Sequence, residues 1–160
     1  MEKEVLKRIF DFLEEKGEHN APIEWKLINN IPLTKEELNV KGVLDLRFSS
    51  ITSLPEGLEV GDDLYLHYSK ITSLPEGLIV RGNLYLSSSN ITLLPKGLKV
   101  GGYLNLSYTN MTSLPEDLKV GGALYIYGTP LTKYTHDELR EMIKPGFIKG
   151  KIYRTWKKKH

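Results

Sequence analysis

Apolar residues recur along this chain at a fixed spacing of 20, not at the 3.6 of a helix. One column reads Leu44, Leu64, Leu84, Leu104 and Leu124, and a second reads Leu46, Leu66, Leu86, Leu106 and Ile126. Others are Ile51, Ile71, Ile91, Met111 and Leu131; Leu54, Leu74, Leu94, Leu114 and Tyr134; Leu58, Leu78, Leu98 and Leu118; and Val60, Val80, Val100 and Val120. Ile31, Leu38 and Val40 already stand in register before the first full coil. One such coil cannot bury so one-sided a set, whereas stacked coils turn each column into a ladder of like side chains. The pattern predicts two short parallel ladders per coil, one centred on Val and one on Leu, with little helix inside the repeats. At a strand spacing of about 4.8 Å, four full coils and a partial one form a body roughly 20 to 25 Å long.

Turn chemistry supports the same coil. Leu54-Pro55-Glu56-Gly57 and its copies at Pro75, Pro95 and Pro115 place Pro where a type I turn wants preset φ, with Gly at the fourth position. Asp117 is the one departure in the Gly57, Gly77 and Gly97 column, and Asp tolerates positive φ better than most residues. A second turn follows each Val. Its Gly42, Asp62, Gly82, Gly102 and Gly122 suggest a type II turn with positive φ at that position.

The segment Leu64-Tyr65-Leu66-His67-Tyr68-Ser69-Lys70-Ile71 resembles the strand segment of leucine-rich repeats, with Ser or Thr where that family carries Asn. Ile71-Thr72-Ser73-Leu74-Pro75-Glu76-Gly77-Leu78 is similar to the Leu-Pro returns of short bacterial repeats, although Leu78-Ile79-Val80 and a two-residue turn intervene before Leu84. The resemblance spans residues 31–134 and implies an α+β solenoid, a right-handed parallel-β stack of the leucine-rich-repeat kind. It also implies that Ser49, Ser69, Ser89, Thr109 and Thr129 bond backbone groups between coils, in place of Asn.

The flanks read as caps, so the chain divides into an N-terminal cap (1–30), the repeats (31–134) and a C-terminal cap with a tail (135–160). Val5, Leu6, Ile9, Phe10 and Leu13 recur at helical spacing over residues 2–16, ahead of a Lys16-Gly17 stop. Ile23-Glu24-Trp25-Lys26-Leu27 alternates like a strand, which with the helix is expected to cover the first open sheet edge. Thr135-His136-Asp137-Glu138 is a capping box opening a helix through Leu139 and Met142. Pro145-Gly146 stops it, and Phe147-Ile148, Ile152-Tyr153 and Trp156 predict one more strand or hairpin.

Composition narrows the chemistry. The chain has no cysteine, which excludes disulfides, thiolate metal sites and cysteine catalysis and suits a reducing cytoplasm, the expected location. Neither a signal peptide nor a membrane span is expected. Net charge is +2 overall but uneven: residues 1–40 carry −3, residues 41–130 carry −1 and residues 131–160 carry +6. Lys149, Lys151, Arg154, Lys157, Lys158 and Lys159 form a basic tail that suits phosphate or an acidic protein, or is simply a solvated end.

The varied positions hold what the repeat does not explain. Alternation points Leu64 and Leu66 inward and Asp63, Tyr65 and His67 outward. The outward face then carries the candidate binding residues Asp45, Arg47, Asp63, Tyr65, His67, Asn83, Tyr85, Tyr103, Asn105, Tyr125 and Tyr127, interspersed with Val43, Ser87, Ser107 and Ala123. Seven of the 9 tyrosines lie on or beside these strands. Tyrosine offers rigid contact area with a hydroxyl at its tip, and it also favours strands and cross-strand stacking, Tyr65 on Tyr85 being a natural pair. Tyr68 and Tyr108, in the column of Phe48, are expected to be partly buried and stand outside the contact set.

Catalysis finds little footing. His19, His67, His136 and His160 are scattered without metal-ligand spacing, and the Gly-Gly pairs are turn residues. Asp45, Arg47, Asp63 and His67 gather acid, base and imidazole on one face, as either a small acid/base or phosphate site or surface ion pairs beside one exposed His. No cofactor is implied. The expected function is non-enzymatic recognition of a protein partner by the Tyr-rich face. By resemblance to bacterial and phage Leu-Pro proteins, its narrower form is inhibition of a host enzyme. The alternatives are nucleic-acid binding or phage counter-defence through the basic tail, and a structural, self-assembling solenoid.

Overall fold

Leu64 donates its backbone N–H to the carbonyl of Asn83 at 2.8 Å, Leu66 donates to Tyr85 at 2.8 Å and Tyr68 donates to Ser87 at 3.1 Å, so each coil is laced to the next along one side. On the other side the lacing runs backwards, Arg81 donating to Val60 at 2.9 Å and Gly101 to Val80 at 2.8 Å. These bonds belong to a computed structural model that describes residues 2–15 and 21–155. They build an α+β solenoid of two six-stranded parallel sheets.

One sheet stacks β1 (Asn39–Val40), β3 (Glu59–Val60), β5 (Ile79–Val80), β7 (Lys99–Val100), β9 (Lys119–Val120) and β11 (Phe147–Ile148). The other stacks β2 (Leu44–Asp45), β4 (Leu64–Tyr65), β6 (Leu84–Tyr85), β8 (Leu104–Asn105), β10 (Leu124–Tyr125) and β12 (Ile152–Tyr153). The predicted Val-centred and Leu-centred ladders are these two sheets. Their inward columns are buried almost completely: Leu44, Leu64, Leu84, Leu104 and Leu124 are all 0% exposed. Each such leucine stabilises the stack by about 1.5–3 kcal/mol.

The last coil holds two strands where one more strand or a hairpin was expected. Phe147–Ile148 and Ile152–Tyr153 do not pair with each other; β11 pairs with β9 and β12 with β10, in parallel. They form a further coil in which the register step grows from 20 residues to 28, Lys119 facing Phe147 and Leu124 facing Ile152. The extra length holds a 3-10 turn, Pro130–Lys133, and a helix, His136–Met142, opened by the predicted Thr135 and Glu138 capping box. This helix buries Leu139, and Ile143 beyond it, against the end of the core. Its Arg140 donates to the carbonyls of Ile148 at 2.5 Å and Gly150 at 3.1 Å, tying helix to coil.

At the other end the predicted Trp25 strand is a helix, Ile23–Ile28, corrected by its caps. Asn30, at φ 55, donates to Leu27, while Ile31 donates to Lys26 at 2.8 Å; this closed C-terminal turn is unavailable to an extended chain. Leu27 enters the core, with Ile23 against it, and buried Lys26 reaches Glu37 at 2.6 Å. The first helix forms as expected over Glu2–Glu15. Its Val5 and Ile9 are exposed, so the described contribution to covering the first coil comes from Ile23 and Leu27. Lys16, Gly17, His19, Trp156, Lys157, Lys158, Lys159 and His160 lie outside the described residues.

Two turn expectations are revised. Positive φ falls, as predicted, at Gly57, Gly77, Gly97 and Asp117, but it does not fall at Gly42, Asp62, Gly82, Gly102 or Gly122. Glycine at 82 and 102 instead makes room for the neighbouring coil. A Cβ on Gly82 meets Asp63 Oδ1 at 2.5 Å, the oxygen that accepts the Asn83 N–H; one on Gly102 collides with the corresponding oxygen of Asn83. At Asp62 the residue in the place of Asp63 and Asn83 is Val43, which supplies no such oxygen.

The hydroxyl column also bonds differently. Ser49, Ser69, Ser89, Thr109 and Thr129 donate to the carbonyl three residues earlier in their own coil, at 2.6–2.8 Å, not to a neighbouring coil. In the later four coils the backbone N–H joins the hydroxyl on that carbonyl at 3.2 Å, so the chain closes a tight turn. The residue before the hydroxyl is driven to positive φ: Phe48 at 54, Tyr68 at 58, Ser88 at 55, Tyr108 at 60 and Gly128 at 64.

Candidate functional site

The Leu-centred sheet turns a row of side chains outward: Asp45, Tyr65, Tyr85, Asn105, Tyr125 and Tyr153, one from each coil. Tyr65 and Tyr85 stack with ring centroids 4.7 Å apart and planes 5° from parallel. Asn105 interrupts the row, and a second stack, Tyr125 on Tyr153, resumes at 4.8 Å and 10°. Tyr103 meets Tyr125 edge-on at 6.0 Å, and Tyr127 tilts against it at 6.0 Å. The tyrosine ladder expected from strand preference is thus present, and it extends one coil further than expected. One sequence signal for Tyr153 exists, the five-residue step from Phe147 to Ile152 that repeats Lys119 to Leu124, but the 28-residue register step hides it from the 20-residue period.

Beside this row lies a second aromatic column that sequence reasoning placed in part-burial. Phe48 is 73% exposed, Tyr68 57% and Tyr108 64%. The tight turns at positive φ lift these side chains out of the sheet. Phe48 and Tyr68 stack at 5.1 Å with planes 3° apart. The signal that reveals such a column is Gly128, the one glycine in it.

His67 sits between the two stacks. Its ring makes edge contacts with Phe48 at 6.1 Å, Tyr65 at 5.9 Å, Tyr68 at 5.8 Å and Tyr85 at 6.4 Å. Burial among these rings pushes its pKa below 6.5, and the charge of Arg47 adds to the drop against a smaller opposing pull from Asp45. The imidazole is therefore neutral at neutral pH.

The charged corner is self-satisfied. Arg47 Nε donates to both Asp45 oxygens at 2.8 and 2.9 Å, and its guanidinium carbon lies 5.4 Å from the Tyr65 ring centroid. That bonding holds the Asp45 carboxyl below its ordinary 3.8, against a smaller rise from burial. Asp63 accepts the Asn83 N–H at 2.6 Å and the Tyr65 hydroxyl at 3.1 Å, and the latter bond raises the Tyr65 pKa. Asn83 accepts the Tyr103 N–H at 2.7 Å, and Asn105 that of Ser107 at 3.0 Å. Asp63 and Asn83 therefore brace neighbouring coils, whereas Asn105 braces its own strand end. Burial raises the pKa of Tyr85, Tyr125 and Tyr127, so all remain protonated donors at neutral pH. Ser107 and Ala123 of the outward set are buried.

The basic tail divides. Lys149 and Lys151 are exposed, whereas Arg154 donates to the Thr132 carbonyl at 2.7 Å. Among the described residues no helix is long and apolar enough to cross a membrane. No protein-family model, curated protein or solved structure matches this chain.

Proposed function

We propose that the chain is a non-enzymatic recognition module that docks a protein partner on the aromatic face of its Leu-centred sheet. The single observation that carries this reading is the exposed stack of Phe48 on Tyr68, mounted on turns at positive φ. Bulky side chains at that φ cost about 1–2 kcal/mol each, and rings this exposed recover little of it from the core. Strain retained without burial favours a role in contact, and rigid, amphipathic rings dominate binding hot spots. Tyr108, Tyr103 and the stacked Tyr65, Tyr85, Tyr125 and Tyr153 extend the surface, with the Asp45 and Arg47 pair at its margin. In the narrower form of this reading, which rests on resemblance to bacterial and phage Leu-Pro repeats, the partner is a host enzyme that the chain inhibits.

The test replaces Phe48, Tyr68 and Tyr108 together by Ser. The variant is expected to keep its melting temperature and lose the partner captured by the parent chain. Undiminished capture by a folded variant overturns the proposal.

A further inference from the structure

The opposite face, on the Val-centred sheet, carries a groove of about 440 Å³ that the aromatic face leaves unexplained. Ile79, Val80 and Val100 line it with the backbone of Gly101 and Gly121, whose N–H groups are already committed to Val80 and Val100. Its walls bear Arg81, Lys99, Lys119 and Lys149, and no carboxylate lines it. Among the described residues Arg81 alone of these four has an acidic partner, Glu59, at 3.0 Å and beyond the groove's edge. Lys99 and Lys119 are direct register partners on adjacent strands, an arrangement in which like charges repel. At the far end Phe147 is 41% exposed, with Lys149 Nζ 5.5 Å from its ring centroid.

We infer that this groove binds single-stranded nucleic acid, with the cations pairing phosphates and Phe147 stacking a base. Two lanes of cations spanning three strand steps, roughly 14 Å, track a charged backbone, and an apolar lining with two glycines between the lanes admits flat rings. An acidic peptide fits less well: the glycine N–H groups are taken by the sheet, so a peptide gains no backbone bonding there. The unrelieved repulsion between Lys99 and Lys119 is what a bound polyanion removes. This site is distinct from the aromatic face, on the other sheet, and from the extreme tail.

Fluorescence anisotropy of the full chain with a short fluorescein-labelled oligothymidylate tests the inference. Binding is expected at low salt, with log K falling against log salt at a slope of about −3, as for four neutralised phosphates. Replacing Lys99 and Lys119 together by Gln should weaken binding at least about tenfold while the melting temperature holds or rises, since their repulsion is gone. Arg at both positions should retain binding, and Phe147→Leu should weaken it about tenfold. No binding at low salt overturns the inference, as does binding undiminished in the Gln variant. Loss confined to a Lys157→Gln, Lys158→Gln, Lys159→Gln variant assigns binding to the tail and overturns it. Equal or tighter binding of a poly-glutamate peptide overturns it in favour of an acidic protein ligand.

Discussion

Tyr125 stacks on Tyr153 at 4.8 Å with ring planes 10° apart, across a register step that spans an inserted helix. The stack is the outward seam between the repeats and the last coil, as Leu124 beside Ile152 is the inward one. Aromatic pairs of this geometry contribute about 0.5–1.5 kcal/mol beyond the area they bury. Tyr153→Ala should therefore lower stability by about 1 kcal/mol and raise amide exchange selectively in Ile152 to Arg154 and their partners in β10. A Tyr125 and Tyr153 double-mutant cycle isolates the pair; a coupling energy near zero shows that the rings merely lie side by side.

Two glycines should fail for opposite reasons when changed to Ala. Gly77 has φ 72 and an added Cβ meets nothing within 4 Å, so Gly77→Ala carries backbone strain alone, about 1–2 kcal/mol. Gly102 has no positive φ, but its added Cβ lies 3.0 Å from the Gly82 carbonyl carbon and from Asn83 Cγ, so Gly102→Ala forces coils apart at about 2–3 kcal/mol. The converse change, Asp117→Gly at φ 59, should stabilise by about 1 kcal/mol. Urea unfolding of the three variants checks these signs, and a destabilised Asp117→Gly contradicts the strain argument.

His67 should make stability depend on pH just below neutrality. Its folded pKa lies below the ordinary 6.5, so the unfolded chain binds the proton more readily between the two values. The stability given by the neutral ring is complete above 6.5 and is lost as pH falls from there toward the lower folded value. Asp45, held below 3.8 by Arg47, contributes in a separate window, with stability present above 3.8 and lost on further acidification. His67→Phe keeps an aromatic ring among Phe48, Tyr65, Tyr68 and Tyr85 while removing the proton site. Thermal melts of the two proteins across pH should diverge below 6.5, and parallel curves rule out the depressed imidazole.

The inward columns were determined by sequence alone, because burial imposes the same demand on every coil and Leu64, Leu84 and Leu104 answer it identically. Gly57, Gly77, Gly97 and Asp117 were equally legible, since few residues accept positive φ. Only the tertiary structure decided what depends on how coils close and meet. The turn from Leu66 to Ser69 forces Tyr68 to positive φ and out of the sheet, a conformation that Tyr itself does not announce. Pro22 and Asn30 close a helix around Trp25 where local alternation suggested a strand. The inserted helix shifts the last register step, and only its packing through Leu139 and Ile143 brings Tyr153 onto Tyr125. Likewise Lys99, Lys119, Arg81 and Lys149 are scattered charges along the chain, and become one groove because parallel stacking sets each coil's residues beside the next at strand spacing.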